Sequence, residues 1–281
     1  MPSKTALSPQ IADKTPAPSL RPHPADSEIW TIVRAEARDL AEREPVLRAS
    51  LERLLAAESD AALLSGVLAT RLAADEAERR TIGQLLTEVF SAEPYILARV
   101  ELDLRAVRER DPACESFLHV LANLKGFHAL ETYRAAHSLW HSGRREAANW
   151  LSNLASLVFG VDIHPAATIG SAVMLDHGSG IVIGETAVIE DDVSILQDVT
   201  LGGTGKQTGD RHPKVRRGVM IGAGAKILGN IEVGAFSKIA AGSVVLKAVP
   251  SHCTVAGVPA SVVRIHRADE IPSASMDQTI L

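Results

Sequence analysis

The chain has 281 residues, enough for one large domain or two smaller ones, and its 29 Lys and Arg against 34 Asp and Glu leave a net charge of -5. That balance argues against a general nucleic-acid binder or a polybasic membrane anchor. Its two cysteines, Cys114 and Cys253, follow no metal-ligand spacing, and no run approaches the roughly 18 apolar residues of a membrane span, so a soluble protein of the reducing cytoplasm is expected.

Residues 1–26 hold six of the 14 prolines and little that can pack, which predicts a disordered leader. Over 27–159 the pattern is helical. The stretch PVLRASLERLLAAESDAALLSGVLATRL is rich in Ala, Leu, Arg and Glu, and Asp111-Pro112, Gly126 and Ser142-Gly143 are natural breaks between helices with apolar stripes at three-and-four spacing. This half reads as an all-α domain.

Over 160–267 the period changes to six. Aliphatic residues fall at Ile163, Ile169 and Leu175, slip by two, and resume at Ile183, Ile189, Ile195 and Leu201. A second in-phase run follows at Ile221, Ile227, Val233, Ile239 and Val245. Small or β-branched residues such as Ala167, Val193 and Ser237 sit four positions after these aliphatics. A six-residue repeat of this kind predicts a parallel β-helix: one coil cannot bury its inward aliphatics, whereas stacked coils bury a continuous column. About twelve hexads give about four triangular coils. An ordinary β-sandwich does not hold a strict six-residue step.

Between the two runs, TLGGTGKQTGDRHPKVRRG at 200–218 lacks a visible hexad and is expected to leave the coil as a loop. Lys206, Arg211, Lys214, Arg216 and Arg217 against Asp210 make it basic, which suits either a solvated loop or a phosphate-binding arm. It is not a Walker loop, because Thr200 stands where a glycine is required and Gln207 where Ser or Thr should follow the lysine. IGAGAKIL lies inside a hexad run and is coil sequence rather than a dinucleotide fingerprint. His137 and His141 are four apart, but Ser138 stands where a zincin has glutamate, so no metal is assigned. The two-residue slip falls on LDHGSG, where a charged, titratable pair interrupts the aliphatic period.

The hexads, LDHGSGIVIGETA, GGTGKQTGDRHPK, IGAGAKILGN, DPACESF, LKGFHALETYRAAHSLW and VDIHPAATIG together closely resemble the serine acetyltransferase family, over roughly Ile29 to Arg267. The resemblance implies an α+β chain: an all-α N-terminal domain followed by a left-handed parallel β-helix of hexapeptide repeats, assembled as a homohexamer of two trimers. It implies transfer of the acetyl group of acetyl-CoA to the hydroxyl of L-serine, the first step of L-cysteine biosynthesis, with acetyl-CoA as co-substrate and no permanently bound cofactor. L-cysteine, which differs from serine by one atom, is the expected feedback inhibitor.

An alcohol is a poor nucleophile at neutral pH, so a base must take its proton as it attacks the thioester. His177 is the candidate base, although a histidine in a repeat can equally be a structural hydrogen-bonder. By resemblance, Asp162 orients it, Asp111 and Asp176 hold the substrate ammonium, and Arg211 and His212 hold the carboxylate, a task suited to a forked guanidinium. Read without the family, Asp111 is helix punctuation before Pro112. Gly203, Ala223, Lys238 and Ala241 are assigned to CoA, small residues letting the pantetheine arm approach the backbone; Ala240 stands where the family often has glycine. Glu185 is shared with the family without an assigned role.

Residues 268–281 read as a flexible tail. Family members often end in isoleucine, which enters O-acetylserine sulfhydrylase; here Ile280 is followed by Leu281, so the same partnership would use a displaced or substituted anchor. Competing readings are a sugar or homoserine acetyltransferase of the same fold, a γ-class carbonic anhydrase, which needs three zinc-binding histidines, and a noncatalytic scaffold for the sulfhydrylase.

Overall fold

The computed structural model describes residues 28–205 and 208–280; the expected leader at 1–26, Lys206 and Gln207 of the basic loop, and Leu281 lie outside the described residues. The first half is helical: α1 (Glu28–Arg43), α2 (Arg48–Leu55), α3 (Asp60–Leu72), α4 (Glu76–Ala92), α5 (Pro94–Arg110), α6 (Phe117–Asn123), α7 (Lys125–His141) and α8 (Arg145–Phe159). Local chemistry sets their ends. Ser59, Asp75 and Ser116 sit in extended backbone and accept N–H bonds from Ala62, Glu78 and His119, so they cap α3, α4 and α6. Pro94 occupies the first turn of α5, where its missing N–H costs nothing. Gly160 closes α8 at φ 68° and hands the chain to the first strand.

The break expected at Gly126 falls two residues earlier, at Leu124 between α6 and α7, and Gly126 itself is the second residue of α7. Its smallness serves packing, since a methyl group there would lie 2.0 Å from the Leu175 carbonyl oxygen. The N-terminal turn of α7 therefore rests directly on the coil beside the LDHGSG break.

The second half is a parallel β-helix with three walls. Wall one stacks β1 (Val161–Ile163), β4 (Ile181–Ile183), β7 (Thr200–Gly202), β10 (Lys226–Leu228) and β13 (Val244–Val245). Wall two stacks β2 (Thr168–Ile169), β5 (Val188–Ile189), β8 (Lys214–Val215) and β11 (Glu232–Val233). Wall three stacks β3 (Met174–Leu175), β6 (Ser194–Ile195), β9 (Met220–Ile221), β12 (Lys238–Ile239) and β14 (Cys253–Gly257), closed by antiparallel β15 (Ala260–Ile265). Wall one has five strands, so the coil makes about five turns rather than the four counted from the hexads. Ile163, Ile183, Leu201, Ile227 and Val245 form one inward column, each at most 3% exposed. Burial of each such side chain is worth roughly 1.5–3 kcal/mol, and stacking is what removes them from water.

Register measures where the coil is interrupted. Ile183 pairs with Leu201 eighteen residues on, and Ile227 with Val245 at the same interval. Ile163 pairs with Ile183 after twenty, so two residues are inserted in the first turn. Leu201 pairs with Ile227 after twenty-six, so eight are inserted there. The loop expected at 200–218 is thereby shortened at both ends: Thr200–Gly202 is a strand of wall one, and Val215, fully buried, pairs with Ile189 and Val233 in wall two.

The segment read from the sequence as a flexible tail, 268–281, is described as far as Ile280. A short helix, α9 (Pro272–Ser275), packs near α5, and Ser273 is buried with its carbonyl accepting from Ser194 Oγ at 2.9 Å. Lys238 Nζ donates to the carbonyls of Asp277 at 3.0 Å and Thr279 at 2.5 Å. A polar tail is held here by its backbone carbonyls, a bond that carries no sequence signature. Among the described residues no helix is long and apolar enough to cross a membrane.

Candidate functional site

The two insertions build two corners on opposite edges of wall one. The first lies between walls three and one. There the chain turns at His177, φ 55°, with Gly178 and Gly180 both at φ 76°. Asp198, Gly224 and Gly242 take the left-handed conformation at the same corner of later coils, in register with Gly180. His177 and Gly178 are therefore the two extra residues, pushed out of the coil. A non-glycine residue with positive φ costs free energy, and it persists only where its surroundings impose it. Here Gly178 is pressed against Gly126 of α7 and Val161.

The result is a His177 side chain 73% exposed beside an Asp176 only 22% exposed, with Nε2 3.9 Å from Oδ1. Burial pushes the Asp176 carboxyl above its ordinary range, His177 opposes that shift, and the neighbouring Asp111 adds to it. Asp111, Asp176 and His177 are thus brought together at one corner, as the sequence suggested. Lys125 at the start of α7 reaches the same turn through a hydrogen bond to Ser179 Oγ. Asp162 stands apart: β1 points it outward from wall one, and among the described residues no ion pair or hydrogen bond joins it to His177. The carboxylate nearest the imidazole in the free chain is Asp176.

The second corner lies between walls one and two, where the eight-residue insertion leaves after β7 and returns at β8. Arg211 donates to Glu185 Oε2 at 2.7 Å, and that bond holds the Glu185 carboxyl below its ordinary range. His212 is buried, and its ring lies so close over Gly184 that a methyl there would fall 2.1 Å from Nε2. Burial, followed by the charge of Arg211, lowers the His212 pKa. Lys214 bonds Asp210 at 2.5 Å, which lowers the Asp210 carboxyl. His164 stands near Glu185 and Asp162, both of which favour its cationic form, while burial lowers its pKa overall. Sequence reasoning named Arg211 and His212 but did not single out His164 or Thr186, whose hydroxyl accepts the backbone N–H groups of Arg211 and His212. Glu185 gains a role as the ion-pair partner of Arg211.

The CoA candidates divide the same way. Ala223 and Ala241 occupy the His177 corner in successive coils, joined by a bond from Gly242 N–H to the Ala223 carbonyl at 2.8 Å. Gly203 lies at the other corner against the Arg211 stem. Lys238 sits on wall three, 5% exposed, with its ammonium donating to the tail carbonyls of Asp277 and Thr279. Among the described residues no cluster of three or more His, Cys, Asp or Glu side chains is arranged to hold a metal ion.

Thus one corner offers carboxylates and an exposed imidazole, and the other offers a guanidinium and an imidazole of lowered pKa. A three-residue strand spans about 10 Å, so the width of wall one separates the two sets in a single chain.

Comparison with known proteins gives a consistent result. The family described as "Serine acetyltransferase, N-terminal" matches residues 29–132, and "Bacterial transferase hexapeptide (six repeats)" matches 212–247. A relative named "Serine acetyltransferase" from Salmonella typhimurium is 55% identical over 251 residues, covering 89% of this chain and 92% of the relative. A solved structure titled "Serine Acetyltransferase- Complex with Cysteine" superposes with a TM-score of 0.87 at 50% identity, covering 90% of this chain and 98% of that one. The Brucella abortus serine acetyltransferase in complex with coenzyme A superposes with a TM-score of 0.83 at 49% identity, covering 86% and 97%.

Proposed function

The chain belongs to the serine acetyltransferase family, and on that premise we propose how its two corners perform the transfer of acetyl from acetyl-CoA to L-serine. Acetyl-CoA is the co-substrate, and L-cysteine, bound in a structural relative, occupies the serine site as inhibitor. His177 takes the proton of the serine hydroxyl as its oxygen attacks the thioester carbonyl. The tetrahedral intermediate then collapses, the carbon–sulfur bond breaks, and the imidazolium returns the proton to the departing thiolate. The products are O-acetyl-L-serine and CoA. Asp111 and Asp176 hold the serine ammonium, and Arg211 and His212 hold its carboxylate. Asp162, one residue from the Val161 that abuts the His177 turn, orients the imidazole once substrates are bound.

The observation that carries this reading is the separation of the two half-sites. No single chain can grip both ends of one serine zwitterion, so the His177 corner of one subunit meets the Arg211 corner of its neighbour. That requirement favours a closed ring of β-helices, and the family resemblance implies that the coil is left-handed and that the ring is one trimer of a dimer of trimers. Ala223 and Ala241 facing Gly203 across the same junction give the pantetheine arm its groove. The two-domain division at 27–159 and 160–267 follows from the change of period. Two buried free cysteines fit a reducing cytoplasm. Ile280, 40% exposed beyond the carbonyls held by Lys238, is the anchor we assign to O-acetylserine sulfhydrylase; a ten-residue C-terminal peptide should bind that enzyme, and absence of binding removes the partnership.

The activity is tested by release of free thiol from acetyl-CoA with and without L-serine. Serine-dependent release is expected; release unchanged by serine, or faster with homoserine or a sugar, contradicts the reading.

A further inference from the structure

We propose that Thr186 is a positioning residue for substrate binding: it ties down the basic arm and fixes which nitrogen of His212 carries the proton. This rests on the reading above that Arg211 and His212 hold the serine carboxylate. All three polar groups of Thr186 are spent on the arm. Its hydroxyl oxygen accepts the backbone N–H of Arg211 at 3.0 Å and of His212 at 3.1 Å. Its backbone N–H donates to His212 Nδ1 at 3.1 Å. Its carbonyl accepts from Lys214 Nζ at 2.7 Å, and the same ammonium reaches the His212 carbonyl at 3.0 Å. An inserted arm returning to the coil has no ladder bonds of its own, and here one side chain supplies the acceptors it lacks.

The tautomer follows from counting protons. A threonine hydroxyl has two acceptor sites and one donor. Both acceptor sites are filled by the two backbone N–H groups, so its remaining proton must be donated. His212 Nδ1 lies 2.9 Å from Oγ1, within donation distance. Nδ1 accepts the Thr186 N–H and so cannot also carry a proton of its own, while the hydroxyl proton has both Nδ1 and the Asp210 carboxylate as acceptors. In the neutral ring Nε2 then bears the hydrogen, and the Arg211 guanidinium, whose charge acts on the ring, donates to Glu185 and to the Gly209 carbonyl, so both side chains are donors. A carboxylate, which accepts only, is the ligand such a pair fits. The charged and titratable groups facing the ring are Arg211, Glu185, Lys214 and His164.

Thr186→Val keeps the shape and removes the hydroxyl, and Thr186→Ser keeps the hydroxyl. Each net hydrogen bond is worth about 1 kcal/mol, so Val is expected to raise KM for serine about fivefold, with kcat and KM for acetyl-CoA changed less than about twofold. Ser should restore the serine KM. In parallel, ¹⁵N NMR of the His212 ring in the intact protein should show Nδ1 unprotonated at neutral pH. Removing the hydroxyl donor should raise the His212 pKa in Thr186→Val. Failure of Ser to restore the serine KM, a parallel fall in kcat and both KM values, or a His212 titration unmoved by Val would overturn the proposal. A parent enzyme without serine-dependent turnover overturns the functional reading instead; the ring titration still decides the role of Thr186 in the arm.

Discussion

Asp103→Asn should destabilise the protein severely, while Glu131→Gln, in the same buried cluster, should be tolerated. Asp103, Glu131 and Arg134 lie between the helices and the coil, at 0%, 0% and 4% exposure. Asp103 accepts from Arg134 Nε at 2.9 Å, from Arg134 Nη2, and from the Val173 N–H at 2.8 Å, while Arg134 also donates to the Gly170 carbonyl at 2.8 Å. Glu131 lies 3.3 Å from Arg134 Nε, and neither of its oxygens has a hydrogen-bond partner among the described residues. Burial and the charge of Asp103 push the Glu131 carboxyl well above its ordinary range, which favours its neutral form. The hydrogen bonds place the guanidinium on Asp103, so Asp103 is the carboxylate it pairs with. Removing a partner from a buried pair costs about 3–5 kcal/mol, whereas replacing a neutral acid by an amide should cost about 1 kcal/mol or less. At about 2–4 °C per kcal/mol for a chain near this size, Asp103→Asn should lower Tm by on the order of 10 °C. Thermal melts at pH 7 and fixed protein concentration measure this. The raised folded pKa of Glu131 means its contribution is present below the ordinary carboxyl range and is lost as pH rises. Glu131→Gln should therefore gain on the parent as pH rises above the ordinary carboxyl range. Equal losses from the two variants would refute the assignment of charge.

His177→Ala should lower kcat by about 10²- to 10⁴-fold with CoA affinity nearly unchanged, as measured by turnover and CoA calorimetry; equal loss of both would make His177 structural. His128 is 2% exposed, and burial lowers its pKa to about 4. The unfolded chain takes up that proton first as pH falls from 6.5, so roughly 3 kcal/mol should be lost by pH 4, and His128→Gln should flatten this limb of the denaturation profile. Gly126→Ala must push α7 off Leu175 and with it the His177 turn, so both Tm and activity should fall; a variant with full activity would mean the turn holds its place without the helix.

The β-helix was legible because its physics is periodic: each inward aliphatic needs a counterpart one coil away. Val215 was hidden because eight inserted residues precede it, and a count that starts from Leu201 arrives out of step. The helical half showed in composition, and the break near Gly126 was legible to within two residues, but not the reason for the glycine, because one needed for close approach looks, in sequence, like one that ends a helix. At the site, Asp176 and His177 announced themselves as the break in period. Thr186 and His164 did not, since their partners lie across a corner or beyond the insertion. The bonds from Lys238 to the tail were hidden because a lysine near a cofactor groove and one gripping backbone carbonyls read alike. The split between corners was invisible without knowing which wall each residue occupies.

That split is tested by complementation. His177→Ala and Arg211→Ala subunits, each inactive alone, are co-expressed and the mixed oligomers assayed for serine-dependent thiol release. In a ring with one site per junction, about one junction in four pairs an intact His177 corner with an intact Arg211 corner, so about a quarter of parent activity should return. Mixing His177→Ala with Asp176→Ala, both at the same corner, should return none. No recovery in the first mixture would place the whole site within one chain and contradict the account.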